Sequence, residues 1–394
     1  MNKSVKVKNL APFLTNRGGL NTSTPKKGGQ KMHIPMIDTL CATIDITNYG
    51  NVDFEQPRDI DIIPYLARHK EEAKTQSTLN MNYKHIIQIG SQSFQLLPNG
   101  SKGYAYILHN DSYEVKISQH RSTNENFYPV FVKIKQEYLW SKGVQASWDN
   151  IKEWITKNIG EVKANKVSRI DICCHTDELQ LQDYDIETFE GRYHLDTIYR
   201  FKRQISTMCF GSGTTGKIIC RIYDKTLEVT QKRQKLWFFD IWKSKGLNPD
   251  KVWNVEFEIS RDFLKEVKLD SVEDTLGNLK TLWEYCTQSW LVKKQLDRTR
   301  IENCTADERW ISLQQAYNNY EGKGLVTREK QMEKSAMALI PGTIGHITSF
   351  GARADITDIT MLFDMIKSQG IKYLHGKDMD YEEAITEKMS LLSI

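Results

Sequence analysis

Apolar and polar residues alternate with a period of two along much of the first two-thirds of the chain, the pattern of strands whose two faces meet different surroundings. Leu40, Ala42, Ile44 and Ile46 form one such run, Tyr113, Val115 and Ile117 a second, and Val130, Val132 and Ile134 a third. Turn formers at Pro98-Asn99-Gly100 and Asn110-Asp111 separate neighbouring runs, so the stretch from about 38 to 135 reads as mostly strand in an antiparallel meander. A short helix follows, with Ile151, Trp154, Ile155 and Ile159 on one face, Asp149 or Ser147 as its cap and Gly160 at its stop. Three more alternating runs lie at about 167–175, 217–225 and 253–260, with a basic, aromatic helix at about 226–245 between the last two. Beyond Arg261 the pattern is predominantly helical, interrupted at Pro341-Gly342 and Gly345. The expected fold is α+β: an antiparallel β-sheet domain with covering helices over 34–265, then a mainly helical C-terminal region over 266–394.

The three later strands carry the chemistry. In the first, Ser168, Ile170, Ile172 and Cys174 form the more apolar face, leaving Arg169, Asp171, Cys173 and His175 opposite. In the second, Ile218, Cys220 and Ile222 face the core, while Arg221, Tyr223 and Lys225 share the other side. In the third, Val255, Phe257 and Ile259 point inward, with Glu256 and Glu258 outward. If the three strands are neighbours, one sheet face gathers carboxylates, a tyrosine and several cations. A phenol ionises near pH 10 and is a poor nucleophile at neutrality. Arg221 and Lys225 would favour its phenolate, and a hard cation such as Mg²⁺ or Mn²⁺ on Asp171, Glu256 and Glu258 would offset the carboxylate charge. That combination suits transesterification at a nucleic-acid phosphate. The same residues also make an ordinary half-buried tyrosine beside cross-strand ion pairs of Glu256 and Glu258 with Arg169 and Arg221.

Phe210-Gly211-Ser212, then Arg221-Ile222-Tyr223-Asp224-Lys225, then Glu228, resembles the nucleophile motif of the Rep_trans family. That family comprises rolling-circle plasmid replication initiators and related relaxases of integrative conjugative elements. Ser168-Arg169-Ile170-Asp171-Ile172 resembles its Arg-Leu-Asp strand, and Trp253-Asn254-Val255-Glu256-Phe257-Glu258-Ile259 its Trp-Arg-Val-Glu-Ile-Glu strand, with Asn254 at the second position. The resemblance runs from roughly 100 to 265 as an ordered triple of blocks. It implies a catalytic domain in which Tyr223 attacks a DNA phosphate, leaving a 5′-phosphotyrosyl link and a free 3′-hydroxyl, without ATP. It also implies that Asp171 and the Glu256/Glu258 pair hold the metal, with DNA as partner at an origin or transfer-origin hairpin, a homodimer, and a host helicase. A non-catalytic origin-binding protein on the same scaffold is the alternative.

Charge and composition change this picture only locally. Residues 1–33 hold seven Lys or Arg (Lys3, Lys6, Lys8, Arg17, Lys26, Lys27 and Lys31) and no acid, so a Gly-rich arm of charge +7, suited to loose phosphate contact or to solubility, precedes a body of charge −3. No apolar run reaches the roughly 20 residues of a membrane helix, and no signal peptide is evident, so a cytoplasmic protein is expected. Seven scattered cysteines without a Cys-x-x-Cys pair indicate reduced thiols. Nine histidines without a His-x-His pair argue for a carboxylate metal site, with His175 at its rim. Gly211–Lys217 imitates a phosphate-binding loop, but Ile218 replaces its hydroxyl residue and a strand follows where a helix must begin. For DNA contact the candidates are Arg169, Lys232, Arg233, Lys235 and a patch containing Lys293, Lys294, Arg298 and Arg300. The aromatics Trp237, Phe238, Phe239 and Trp242 are read as core rather than as a base-stacking platform.

Overall fold

A computed structural model describes residues 33–47, 62–79, 83–120, 122, 124, 126–212, 216–325 and 328–392. The basic arm, apart from His33, lies outside them. Eleven strands form one antiparallel sheet. Its first half contains β1 (Ile34–Ile46), β2 (His85–Ile89), β3 (Gln92–Leu96), β4 (Tyr106–His109), β5 (Tyr113–Ile117) and β6 (Val130–Ile134). Its second half contains β7 (Val162–Thr176), β9 (Asp196–Phe201), β10 (Gln204–Phe210), β11 (Ile218–Asp224) and β12 (Trp253–Ser260). The spatial order is β2-β3-β4-β5-β6-β1-β7-β12-β11-β10-β9, so the long strands β1 and β7 join two meanders at the centre. The short strands β8 (Phe189–Gly191) and β13 (Leu291–Lys293) pair separately.

The sheet buries both faces near its middle, and this positions the site. The larger core collects Ile170, Ile172, Cys174, Cys220, Ile222, Val255, Phe257 and Ile259, the inward set of the alternating pattern. Helices α2 (Gln136–Lys142) and α3 (Val144–Asn158) supply Leu139, Trp148, Ile151 and Ile155 to it. On the other face α4 (Lys225–Lys232) and α5 (Trp237–Ser244) close a smaller core of Ile34, Met36, Trp140, Cys173, Val229, Trp237, Phe238 and Trp242. The aromatics of this segment are therefore packing residues, apart from the partly buried Phe239 at the edge.

Several local expectations are corrected. The segment 226–245 is two helices, because Arg233 and Lys235 both take positive φ, 50° and 56°, which ends α4 and turns the chain into α5. Helix α3 starts at Val144 behind Gly143, earlier than a Ser147 or Asp149 cap allows; the Ser147 hydroxyl instead donates to the Gly143 carbonyl at 2.7 Å. An unexpected helix, α1 (Ile62–Leu79), interrupts the first meander; of its 18 residues only Ile62, Leu66 and Ala73 are buried, too thin a stripe to give a helical period. After Arg261 come α6 (Arg261–Glu266), α7 (Val272–Leu276), α8 (Leu279–Tyr285) and α9 (Glu308–Gln314), whose Leu264, Val272, Trp283 and Leu313 join the larger core. The packed unit thus continues past residue 265. Helices α10 (Arg328–Ala354), α11 (Ile359–His375) and α12 (Tyr381–Leu392) complete the chain. Pro341 lies inside α10, which runs on through the expected break and ends before Asp355, at φ 54°.

All seven cysteines are free, six of them buried. No helix among the described residues is long and apolar enough to cross a membrane.

Candidate active site

Antiparallel pairing of β7, β12 and β11 sets the outward residues in rows. Tyr223 pairs with Asn254, and Asn254 with His175; Arg221 pairs with Glu256, and Glu256 with Cys173; Glu258 pairs with Asp171. Asp224 ends β11 and caps α4, its carboxylate accepting the Leu227 N–H at 2.8 Å, so Lys225 begins a helix directly beside the tyrosine.

The phenolic oxygen of Tyr223 is the hub. Its O–H donates to Glu256 Oε2 at 3.1 Å, while Asn254 Nδ2 and Lys225 Nζ donate to it at 2.9 and 3.3 Å. Lys225 is almost fully buried and also donates to Glu228 at 2.7 Å. Further along the rows Arg221 reaches Glu256 at 3.3 Å and Glu258 at 2.6 Å. Arg169 grips Asp171 with two bonds of 2.7 and 2.6 Å and touches Glu258 at 2.9 Å. The three acids lie on the tyrosine's side of the sheet, and each is engaged by an arginine, Glu256 at the longest distance.

One acid of this face is absent from the sequence reading. Counting back from Leu40 places Asp38 inward, but a bulge between Ile37 and Thr39 turns it to the face of Ile34 and Met36. There it is buried, accepts the Trp140 indole N–H at 2.8 Å, and lies within the electrostatic reach of Lys225 and Glu256.

The electrostatics correct the expectation of a phenolate. Burial, and after it the negative charges of Glu256, Asp38 and Glu228, push the Tyr223 hydroxyl well above its ordinary pKa. Burial, with the Asp38 and Asp171 charges, raises Glu256 to about 8 against the attraction of Arg221 and Lys225. Burial likewise raises Asp171. At neutral pH Glu256 is therefore held largely in its protonated form. Nearby, Asn254 Oδ1 is a buried acceptor without a hydrogen-bond donor.

His175 is not at a rim. It is fully buried between Trp140 and Phe238, and its Nδ1 accepts the Trp242 indole N–H at 2.9 Å. Burial, then Lys225, lowers it to about 3, so it is a neutral core histidine.

The expected DNA-contacting cations divide. Lys232 and Arg233 are exposed, and Lys232 pairs with Glu228 at 2.7 Å. Lys235 is half-buried on Gln136, and these lysines border a recess with Lys225 and Glu228. Lys294 is half-buried against Glu190 at 3.3 Å. Lys293 is interior, 2% exposed, paired with Asp185 at 2.7 Å and Asp307 at 3.5 Å and donating to Thr188 at 2.9 Å. It belongs to no surface patch, because the buried Asp185 and Asp307 hold it in the interior. Lys293→Met should leave the buried Asp185 carboxylate without its cation, whereas Asp307 keeps Arg309 at 2.6 Å, and cost roughly 3 kcal/mol in urea unfolding; an unchanged midpoint would show the ion pair to be dispensable.

A second cluster can coordinate a divalent metal ion: His69, Glu72 and His85. Among the described residues no other three His, Cys, Asp or Glu bring ligand atoms within 4.8 Å of one another, and the acids around Tyr223 do not. The spacing His-x-x-Glu, then His85 at the start of a strand, is the signal that was available in the sequence.

No family model matches the chain, and no curated protein matches it. Among solved structures, a rolling circle replication initiator protein from Geobacillus stearothermophilus aligns over 72% of this chain and 95% of that one, with 11% identity and a TM-score of 0.39. At that distance no residue assignment transfers from one chain to the other.

Proposed function

We propose that the chain is a site-specific DNA nicking and rejoining enzyme, with Tyr223 as nucleophile, that initiates rolling-circle replication or conjugative transfer. The reading rests above all on the three polar partners converging on one phenolic oxygen. The ionised form of Glu256, 3.1 Å away and increasingly populated as pH approaches 8, accepts the proton as the oxygen attacks phosphorus. Lys225 and Asn254 already donate to that oxygen and stabilise the charge it develops. As the new O–P bond forms, the bond to the 3′ oxygen breaks, and that oxygen takes a proton from water and leaves as a hydroxyl. Arg221, one-third exposed beside the tyrosine, offers a guanidinium to the phosphate oxygens. Rejoining is the reverse attack by the 3′-hydroxyl on the retained phosphotyrosine.

The donors fit a hard divalent ion through Glu256. Its carboxyl is raised to about 8 by burial, with the Asp38 and Asp171 charges, a balance that a bound cation would relieve. Glu256 would hold Mg²⁺ or Mn²⁺, with Asp171 and Glu258 contributing charge from behind their arginines. Bound there, the ion would polarise the scissile phosphate.

The alternative, a DNA-binding protein without catalysis, draws on the arginine pairing of Asp171 and Glu258. Incubating the protein with supercoiled DNA carrying its own coding locus, with and without Mn²⁺, separates the two. The expected products are nicked circles with protein on a 5′ end; intact circles, or nicks with no protein attached, would reject the nucleophile.

A further inference from the structure

The edge of the sheet remote from Tyr223 carries a second chemistry. His69 and Glu72 lie three residues apart on α1, hence on one face of the helix, and His85 opens the edge strand β2. His69 Nδ1 and His85 Nε2 are 2.9 Å apart, and Glu72 Oε2 lies 3.0 Å from the first and 3.6 Å from the second. Seven strands separate β2 from β11, so at about 4.8 Å per strand the cluster is roughly 38 Å from the tyrosine along the sheet.

The triangle has the dimensions of a coordination face. An ion with tetrahedral bonds of about 2.0–2.1 Å holds its ligand atoms about 3.3 Å apart, within the observed spread of 2.9–3.6 Å. Proton bookkeeping points the same way. A neutral imidazole pair shares one proton, which leaves lone pairs of His85 and Glu72 aimed at the same point. The Tyr83 hydroxyl lies 3.3 Å from His85 Nδ1, so a His85 that donates there keeps its Nε2 lone pair turned to the cluster. Two imidazoles and one carboxylate select a borderline ion of the Zn²⁺ class over Mg²⁺. Glu72, half exposed, leaves a coordination position on the solvent side.

We infer that His69, Glu72 and His85 form a zinc-class metal site that clips α1 onto the edge strand β2, independent of the proposed nicking site. Helix α1 fully buries three side chains and packs Ile63, Tyr65 and Ala67 only partly, so cross-linking by a metal would add to a thin apolar attachment. It would also cover an edge otherwise open to pairing with another strand.

The test is titration of chelator-stripped full-length protein with Co²⁺, followed by displacement with Zn²⁺. One equivalent should bind with the absorption of a four-coordinate N,O site, Zn²⁺ should displace it, and millimolar Mg²⁺ should not. His69→Ala and His85→Ala should each weaken binding on the order of 100-fold. Because His85 is buried, Glu72→Gln provides a variant on the exposed side, expected to melt as the stripped wild type does yet bind at least about 10-fold more weakly. Tyr223→Phe should bind like wild type. Absence of a saturable equivalent, or one unaffected by His69→Ala and Glu72→Gln, would overturn the site, whatever the nicking assay shows.

Discussion

Tyr223→Phe is expected to remove the covalent protein–DNA adduct and to lower strand cleavage by at least about 10⁴-fold, while the protein still folds and binds DNA. The change deletes one oxygen and nothing else. That oxygen donates to Glu256 and accepts from Lys225 and Asn254, so its loss costs on the order of 1 kcal/mol of stability. Lys225 keeps Glu228 as a partner, and the aromatic ring keeps its packing. A large kinetic loss with a small thermal shift is therefore the signature of a nucleophile. A gel that resolves nicked from supercoiled circles, with a label on the 5′ end, measures the first quantity, and a melting curve measures the second. Cleavage at the wild-type rate by the Phe variant would remove Tyr223 from the chemistry and leave a hydrolase using the same acids. Loss of folding would be read separately by circular dichroism, and Lys225→Met, which keeps the hydroxyl, then supplies the second kinetic comparison.

Strands β7, β11 and β12 were legible because each is apolar on one face and strongly polar on the other, so alternation fixes both their type and their facing. Their adjacency was inferred only from the chemistry they would share; the register of Arg221 opposite Glu256 comes from the structure. Asp38 was illegible for a specific reason: alternation propagates the wrong face through a bulge, and a bulge has no marker here such as glycine. Helix α1 failed for want of apolar residues, since its position depends on only three buried side chains. Lys293 and His175 show a third kind of failure. A lysine is read as surface, and a histidine on the polar side of a strand as rim, unless the partners that bury them are known. Those partners, Asp185 and Asp307 for one and Trp140, Phe238 and Trp242 for the other, lie in other elements. Local pattern decides which residues share a face; burial of that face is a property of the assembled sheet.

Glu256→Gln is expected to do two opposite things: lower cleavage by about 10³-fold and make the metal-free protein more stable at alkaline pH. The kinetic loss follows from the hydrogen bond, because a carboxamide keeps the shape but cannot take the tyrosine's proton. The stability gain follows from linkage. Glu256 ionises near 4.5 in an unfolded chain but holds its proton to about 8 in the folded one, owing first to burial and then to Asp38 and Asp171. Between those values the folded protein binds the extra proton, so this group lowers stability as pH rises through the window, and the cost is complete above about 8. Glutamine cannot ionise, so the difference between the two proteins should be small at pH 4.5 and grow to on the order of 2 kcal/mol by pH 8.5. Taking the difference cancels the slope contributed by every other titrating group. Adding Mg²⁺ at pH 8 should raise the wild-type melting temperature, because a cation at Glu256 supplies the charge this face lacks, and should leave the Gln variant unmoved. A wild-type-minus-variant difference that is flat across the window would mean that Glu256 is already ionised and compensated at neutral pH. The excess negative charge that holds its proton, and that a bound cation would relieve, would then not exist.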